Sequence, residues 1–203
     1  MNLLYQPIWK DKKSIFAYSA EFDFPNPYAL LLLGKVNLSE GNYEDILKLS
    51  DRLYAFSKCD KLDELNRSYA LTNAIFLQAV FLSYSKQDKK EALKLCLIIK
   101  PYISSKQEEY PLLMDTIGNC YFAEGNIKMA AATINDVLAS KSLDDFLRDY
   151  FCFIKEHYLG NYDKAIYYLE ICHKMRPDDK NIINRIERNK VLLRARNNFK
   201  TES

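Results

Sequence analysis

The sequence is short of the residues that interrupt helices. Five glycines and six prolines occur among 203 residues, and they fall mainly between segments whose apolar residues recur with a helical period. Hydrophobic residues make up 48% of the chain, which is too many for a disordered polymer. Sparse glycine and proline, together with helix-period patterning, predict an all-α protein.

Long apolar runs and an excess of one charge are also missing. No segment reaches about 18 consecutive apolar residues, so we expect no membrane-spanning helix. The first residues lack a basic segment followed by an apolar one, so we expect no secretory signal. The 29 Lys and Arg residues nearly balance 27 Asp and Glu residues. This balance argues against a chain built wholly for nucleic acid or anionic membranes.

The cysteines lack the spacing of a disulfide framework or a zinc site. There are five of them, an odd number, widely spaced and without a Cys-x-x-Cys motif. Such a set is typical of free thiols in a reducing compartment. We therefore expect an intracellular, cytoplasmic protein, with the nucleus as the alternative.

Residues that carry catalysis or bind cofactors are scarce as well. His157 and His173 are the only histidines, and Cys172 is the immediate sequence neighbour of the second. Adjacent residues on a helix point about 100° apart, so the Cys172–His173 pair is a poor chelate. There is no Gly-rich phosphate loop, no Gly-x-Ser-x-Gly and no His-Glu-x-x-His. We expect no catalytic residue, no metal and no cofactor, and we do not interpret the chain as an enzyme.

What the chain does contain is an internal repeat. Gly125 and Gly160 are 35 residues apart, and so are Ala130 and Ala165. A period of about 34 residues with this pattern is the signature of a helix–turn–helix repeat that stacks into a solenoid. We expect each glycine to end the first helix of a pair in the left-handed conformation.

Small residues are expected where helices touch. Gly118, Ala130 and Ala165 take the small positions of their repeats, because a large side chain there would separate the backbones. In the last repeat Phe153 replaces the small residue of the first helix. We therefore expect the two helices of that repeat to be splayed or shifted.

The whole chain, 1–203, is predicted to be one helical-repeat domain. The repeats are strong at 108–140 and 144–177, looser at 27–58 and degenerate at 66–101. A lone helix is expected over about 7–24. A capping helix is expected over 178–197, with Asp178 or Asp179 as its N-cap.

Residues 25–177 resemble the tetratricopeptide repeat family. The resemblance implies a right-handed superhelix, an α-solenoid of about four antiparallel helix pairs with the extra terminal helices. It also implies a concave groove, lined by the first helix of each pair, that holds peptides or partner helices without catalysis. A fainter resemblance, on residues 110–118 and 125–128, is to the tetratricopeptide subunit of the TRAPP vesicle-tethering complex. Repeat subunits of the anaphase-promoting complex are an equally open comparison.

The resemblance also implies which residues line the groove. Carried over by repeat position, they are Leu112, Asn119, Phe122, Tyr150, Ile154, His157 and Tyr158. Family members that bind chaperone tails clamp a carboxylate with a lysine at the position that Asp115 occupies here, so no such clamp is expected. The groove is predicted to be aromatic and apolar, suited to an amphipathic helix or an extended peptide. The alternative is that some of these side chains only pack between repeats.

The carboxyl-terminal part is basic. From residue 174 onward nine Lys or Arg residues stand against four acids. Arg185, Arg188 and Arg196, with Asn189, can form one stripe. We favour its interpretation as the solvated outer face of a cap helix, and the alternative is a surface that binds an acidic protein or nucleic acid. Phe199 is the only aromatic residue near the stripe, which weakens the case for nucleic acid.

The leading hypothesis is a non-catalytic protein–protein interaction scaffold, a subunit of a multiprotein assembly such as a tethering or cell-cycle complex. One alternative is a chaperone or regulator of a client protein, of the same repeat type. A second is a nucleic-acid-associated helical repeat that uses the basic carboxyl-terminal helix. The expected partner is a protein or peptide, a homodimer is a further expectation, and nucleic acid is not expected.

Overall fold

The computed structural model describes residues 26–85, 88–140 and 143–201, with side chains up to residue 198. These residues form α-helices and no strand, so the all-α prediction is confirmed for them. The helix expected over 7–24 lies outside the described residues. The chain forms two compact units, with the boundary between Tyr102 and Ile103. A single domain over 1–203 stays a prediction.

The first unit holds four of the described helices. They are α1 (Pro27–Glu40), α2 (Tyr43–Ser57), α3 (Glu64–Tyr84) and α4 (Lys89–Ile99), with a short 3-10 turn over Lys100–Tyr102. Each helix packs on the next, and α1 also reaches α3.

The described residues of the second unit form five helices. They are α5 (Tyr110–Ala123), α6 (Ile127–Leu138), α7 (Asp145–Tyr158), α8 (Tyr162–Met175) and α9 (Lys180–Thr201). Again each helix packs on the one that follows it. None of the helices in the described part of the chain combines the length and the apolarity that crossing a bilayer requires.

Short polar side chains fix where several helices begin. The Asp144 carboxylate accepts the Leu147 N–H at 2.7 Å and starts α7. Asp179 accepts the Asn181 N–H at 2.9 Å, so of the two acids expected to cap α9 it is Asp179 that does so. Asp63 accepts the Asn66 N–H at 2.8 Å, and α3 begins there, earlier than the sequence pattern indicated.

Three helix pairs are joined by turns of two or three residues that end in Gly–Asn. Gly41, Gly125 and Gly160 have φ of 76°, 76° and 72°, the left-handed region that the sequence predicted for Gly125 and Gly160. The asparagine after each glycine donates its N–H to the carbonyl five residues earlier, at 2.8 to 2.9 Å. This bonding satisfies carbonyls at the end of the first helix, as in a Schellman motif. The same backbone path therefore turns α1 into α2, α5 into α6 and α7 into α8.

The small residues lie at helix contacts, as predicted. Ala130 and Ala165 are 0% exposed. A Cβ atom on Gly118 would lie 3.3 Å from Ile134 Cδ1 of α6 and 3.3 Å from Tyr158 Cε2 of α7. Gly34 plays the matching part in the first unit, where a Cβ atom would lie 2.8 Å from Leu77 Cδ2 of α3. A glycine thus lets α1 approach α3 in the first unit and α5 approach α7 in the second.

The splaying expected at Phe153 is not seen, and a shift of the two helices stays a prediction. Helices α7 and α8 pack directly against each other, as α5 and α6 do. Phe153 is 2% exposed, and the centroid of its ring lies 5.7 Å from the Arg185 guanidinium of α9. The large side chain is thus accommodated beside α9, so it does not force α7 and α8 apart.

Candidate functional site

Helices α5 and α7 meet through an aromatic stack. The rings of Phe122 and Tyr158 have centroids 4.7 Å apart and planes inclined by 23°. The Tyr158 ring also fills the space that Gly118 leaves open. Burial is the main cause that raises the pKa of the Tyr158 hydroxyl well above its usual value. Tyr158 therefore belongs to the interior of the second unit.

Helices α7 and α9 meet through a polar pair. His157 Nδ1 lies 2.8 Å from Asn189 Oδ1, and Asn189 Nδ2 donates to the Arg185 carbonyl at 2.8 Å. Because that carbonyl can only accept, the amide orientation is fixed and His157 must donate from Nδ1. Asn189 is 1% exposed. A buried amide with both of its ends paired thus joins the two helices.

The His157 imidazole is held neutral. Burial is the largest cause that lowers its pKa below the usual 6.5, and the charges of Arg188 and Arg185 lower it further. The hydrogen bond to Asn189 opposes these effects. Aromatic rings surround the imidazole, with Phe122 at 5.8 Å and Phe153 at 6.0 Å between centroids.

Arginine side chains lie on aromatic rings in this unit. The Arg185 guanidinium carbon is 5.6 Å from the centroid of Tyr150, and that of Arg176 is 3.5 Å from the centroid of Phe146. Such contacts attract the cation to the ring face and orient the planar guanidinium. Arg185 nevertheless remains exposed at the surface.

These contacts bring three alternate helices, α5, α7 and α9, side by side. We call the surface they share the aromatic–arginine surface and define it by Phe122, Tyr150, His157, Arg185 and Arg188. The three rings are half-buried and the two arginines are exposed. Burial is also the main cause that raises the pKa of Tyr150 to about 12.

The residues predicted to line a groove divide into two groups. Leu112, Asn119, Phe122, Tyr150 and His157 are half-buried. Ile154 and Tyr158 are only 5% and 8% exposed, and both pack inside the unit. For these two the structure favours the alternative, packing between helices, and we do not retain them as partner contacts.

The predicted basic stripe is partly used within the unit. Arg185, Arg188 and Arg196 are exposed on α9. Arg196 Nη1 donates to the Gly160 carbonyl at 2.5 Å, and Arg185 lies on the Tyr150 and Phe153 rings. Asn189, which the pattern assigned to the same stripe, is buried. Asn189 follows Ile182 and Ile186 at helical spacing, and both isoleucines are buried, so it lies on the same apolar face of α9. This spacing is the sequence signal that indicates the burial of Asn189.

Charge is unevenly distributed along the second unit. Residues 103–173 contain eleven acids and six Lys or Arg residues, whereas residues 174–203 contain four acids and nine. Helix α9 is therefore a basic helix packed on the acidic body formed by α5 to α8.

The cysteines give no sign of a reactive thiol. All five are free, and burial raises the pKa of Cys172 to about 11. Burial likewise raises the pKa of the half-buried Cys152. Both thiols thus stay protonated near neutral pH. Within residues 26–85, 88–140 and 143–198, no three His, Cys, Asp or Glu side chains come together as a metal site requires.

We compared the chain with protein-family models, with curated proteins and with solved structures, and none of them matches.

Proposed function

We propose that this chain is a non-catalytic protein-interaction module of tetratricopeptide type, which holds a peptide or helix of a partner on the aromatic–arginine surface. In this proposal the helix pairs stack in the right-handed sense that the sequence resemblance implies. The module is a subunit of a multiprotein assembly, in which its own task is to position the partner.

One observation carries the proposal. Every second helix of the second unit is in side-chain contact with the next such helix, α5 with α7 and α7 with α9. Side chains from three helices therefore lie on one surface, which suits an elongated ligand that crosses them. The identical Gly–Asn turns support the repeat assignment, because they recur in both units.

The chemistry of this surface suits binding. Half-buried aromatic rings offer apolar area at a small loss of conformational entropy, since few torsions remain to be fixed. Exposed arginines beside such rings are the residue types enriched at the centres of protein interfaces.

Co-purification of variants from the native host tests the proposal. We expect Tyr150→Ala with Phe122→Ala to remove the partner that wild-type protein retains, with circular dichroism still helical. Tyr54→Ala with Tyr167→Ala is the matched control, because both tyrosines are exposed, at 48% and 60%, and belong to α2 and α8, which contribute no residue to this surface. Retention of the partner by the first double variant would refute the surface assignment.

Co-expression separates this proposal from a chaperone of the same repeat type. A scaffold enters a stable complex with several subunits at fixed stoichiometry. A chaperone instead renders one client soluble and leaves it once the client has assembled. Size-exclusion chromatography of the co-expressed partner with light scattering distinguishes the two.

A further inference from the structure

We infer that the partner segment is acidic: its apolar residues contact the rings of the aromatic–arginine surface, and its Asp or Glu carboxylates bind Arg185 and Arg188. This inference rests on the proposed function and specifies the chemistry of the ligand.

Arg185 is arranged to receive a carboxylate. Its guanidinium lies 5.6 Å from the centroid of Tyr150 and 5.7 Å from that of Phe153, and the side chain is exposed. Contacts with ring faces use none of the five N–H donors, so the edge of the fork stays free for two parallel bonds to one carboxylate. Stacking also reduces the conformational entropy that binding would otherwise remove.

Arg188 supplies a second positive charge on the same part of α9. Both arginines lie close enough to His157 for their charges to act on its imidazole. Lys190 is already paired with Glu187 at 2.8 Å. Among the described residues, Arg185 and Arg188 are thus the exposed cations whose charges act on His157, while the charges of Asp115 and Asp179 act on the Tyr150 hydroxyl.

The charge of the rest of the unit restricts where an acidic segment can bind. Helices α5 to α8 belong to the part of the chain in which acids outnumber Lys and Arg by eleven to six. An acidic ligand is repelled there and attracted only along α9, which fixes its position across the three helices. A basic ligand would be repelled by both arginines beside the rings.

A nucleic acid fits this surface less well. A polyanion needs several phosphate contacts in succession, but Arg196 already donates to the Gly160 carbonyl and Arg185 is held against two rings. The acidic body next to α9 further disfavours a long polyanion. A short peptide with a few carboxylates avoids both difficulties.

Fluorescence anisotropy with designed peptides tests the inference. Three fluorescein-labelled amphipathic helices of about 20 residues share one Leu/Phe face and carry Glu, Gln or Lys at the flanking positions. We expect the Glu peptide to bind about tenfold more tightly than the Gln peptide, the effect of two exposed ion pairs. The Lys peptide should bind most weakly, and added salt should reduce the preference for Glu.

Matched charge variants locate the effect. Arg185→Gln with Arg188→Gln should weaken binding of the Glu peptide about tenfold, to the level of the Gln peptide. Lys174→Gln with Lys180→Gln removes the same charge from other exposed positions near and within α9, and it should change binding less than about twofold.

Each other outcome overturns the inference in a distinct way. Equal binding of the Glu and Gln peptides, lost in Tyr150→Ala, would preserve the proposed function but remove the acidic partner. Tighter binding of single-stranded RNA or DNA through Arg185 and Arg188 would assign the surface to nucleic acid. If none of the peptides binds while Tyr150→Ala with Phe122→Ala still loses its partner in co-purification, only the ligand chemistry is wrong. If that variant also keeps its partner, the function fails as well.

Discussion

Helix α7 has a neighbour on each side, and the two junctions are built from opposite chemistry. Toward α5, Tyr158 stacks on Phe122 and lies over Gly118, and the charge of Asp115 acts on its hydroxyl. Toward α9, the buried Asn189 binds His157, and the exposed Arg185 lies on an aromatic ring. The first junction needs close approach and apolar area, whereas the second needs specific polar partners.

The difference shows which contact could be repeated and which is particular to this chain. A glycine opposite a large side chain also joins α1 to α3, through Gly34 and Leu77. The α7–α9 junction instead depends on one particular pair, His157 and Asn189. We therefore regard the α5–α7 junction as the general packing solution and the α7–α9 junction as the specialised one. Four variants can break or sharpen this comparison.

The largest effect is expected at the apolar junction. Tyr158→Ala removes a ring that is 8% exposed and leaves a cavity against Gly118, so we expect the free energy of unfolding to fall by about 3 kcal/mol. Urea denaturation monitored by circular dichroism measures this. Tyr167→Ala, at a tyrosine that is 60% exposed, serves as control and should stay within about 0.5 kcal/mol. Equal losses in the two variants would mean that the stack does not hold α5 and α7 together.

The polar junction should contribute less. Asn189→Ala leaves the His157 Nδ1–H without its acceptor, and we expect a loss of about 1–2 kcal/mol in the same measurement. Asn184→Ala, at an exposed position of the same helix, is the control and should change stability by less than about 0.5 kcal/mol. A loss for Asn189→Ala as large as that for Tyr158→Ala would reverse our ranking of the two junctions.

The two Gly–Asn turns of the second unit should respond alike. Gly125 precedes α6 and Gly160 follows α7, and both have φ above 70° with open space around the Cα. Replacing either by alanine forces an L side chain into the left-handed region, which costs about 1 kcal/mol. Thermal unfolding of the two single variants should give the same shift. Unequal shifts would show that the two turns contribute differently to stability although their backbone geometry is the same.

The smallest effect is a pH dependence confined to the polar junction. Folding lowers the pKa of His157, so the unfolded chain binds this proton more readily and its uptake favours unfolding. At a pH above the usual pKa of 6.5, His157 is neutral in both states and its protonation does not reduce the free energy of unfolding. The free energy of unfolding falls as the pH drops from 6.5 to the lower pKa of the folded state. We expect His157→Gln to flatten this part of the curve between pH 8 and pH 5. A curve of unchanged slope in the variant would place the proton uptake elsewhere.

Local chemistry made part of the fold predictable. A glycine followed by asparagine dictates its own turn, so the ends of α1, α5 and α7 follow from the sequence. Small residues with a fixed spacing likewise identified the contacts of Gly118, Ala130 and Ala165. The early start of α3 was missed, because the repeat is degenerate there and the only signal is the Asp63–Asn66 pair.

The candidate site was harder to predict, since its contacts join residues far apart in sequence. Arg185 and Tyr150 are separated by 35 residues, and no local pattern shows that one lies on the other. The family pattern places Ile154 and Tyr158 at groove-lining positions of the helix. It does not show which side chains surround them, and so it does not show that they are buried. With a glycine at 118, the tyrosine turns inward and fills the gap.

The Gly–Asn turns have a practical consequence for labelling the protein. Only Glu124, Gly125 and Asn126 separate α5 from α6, and the backbone groups of the turn already bond to the helix before it. An epitope or a fluorophore-binding insert at these turns would break the hydrogen bonds that end the first helix. Residues 104–108 are exposed and lie outside any helix, which makes them the better place for a genetically encoded tag.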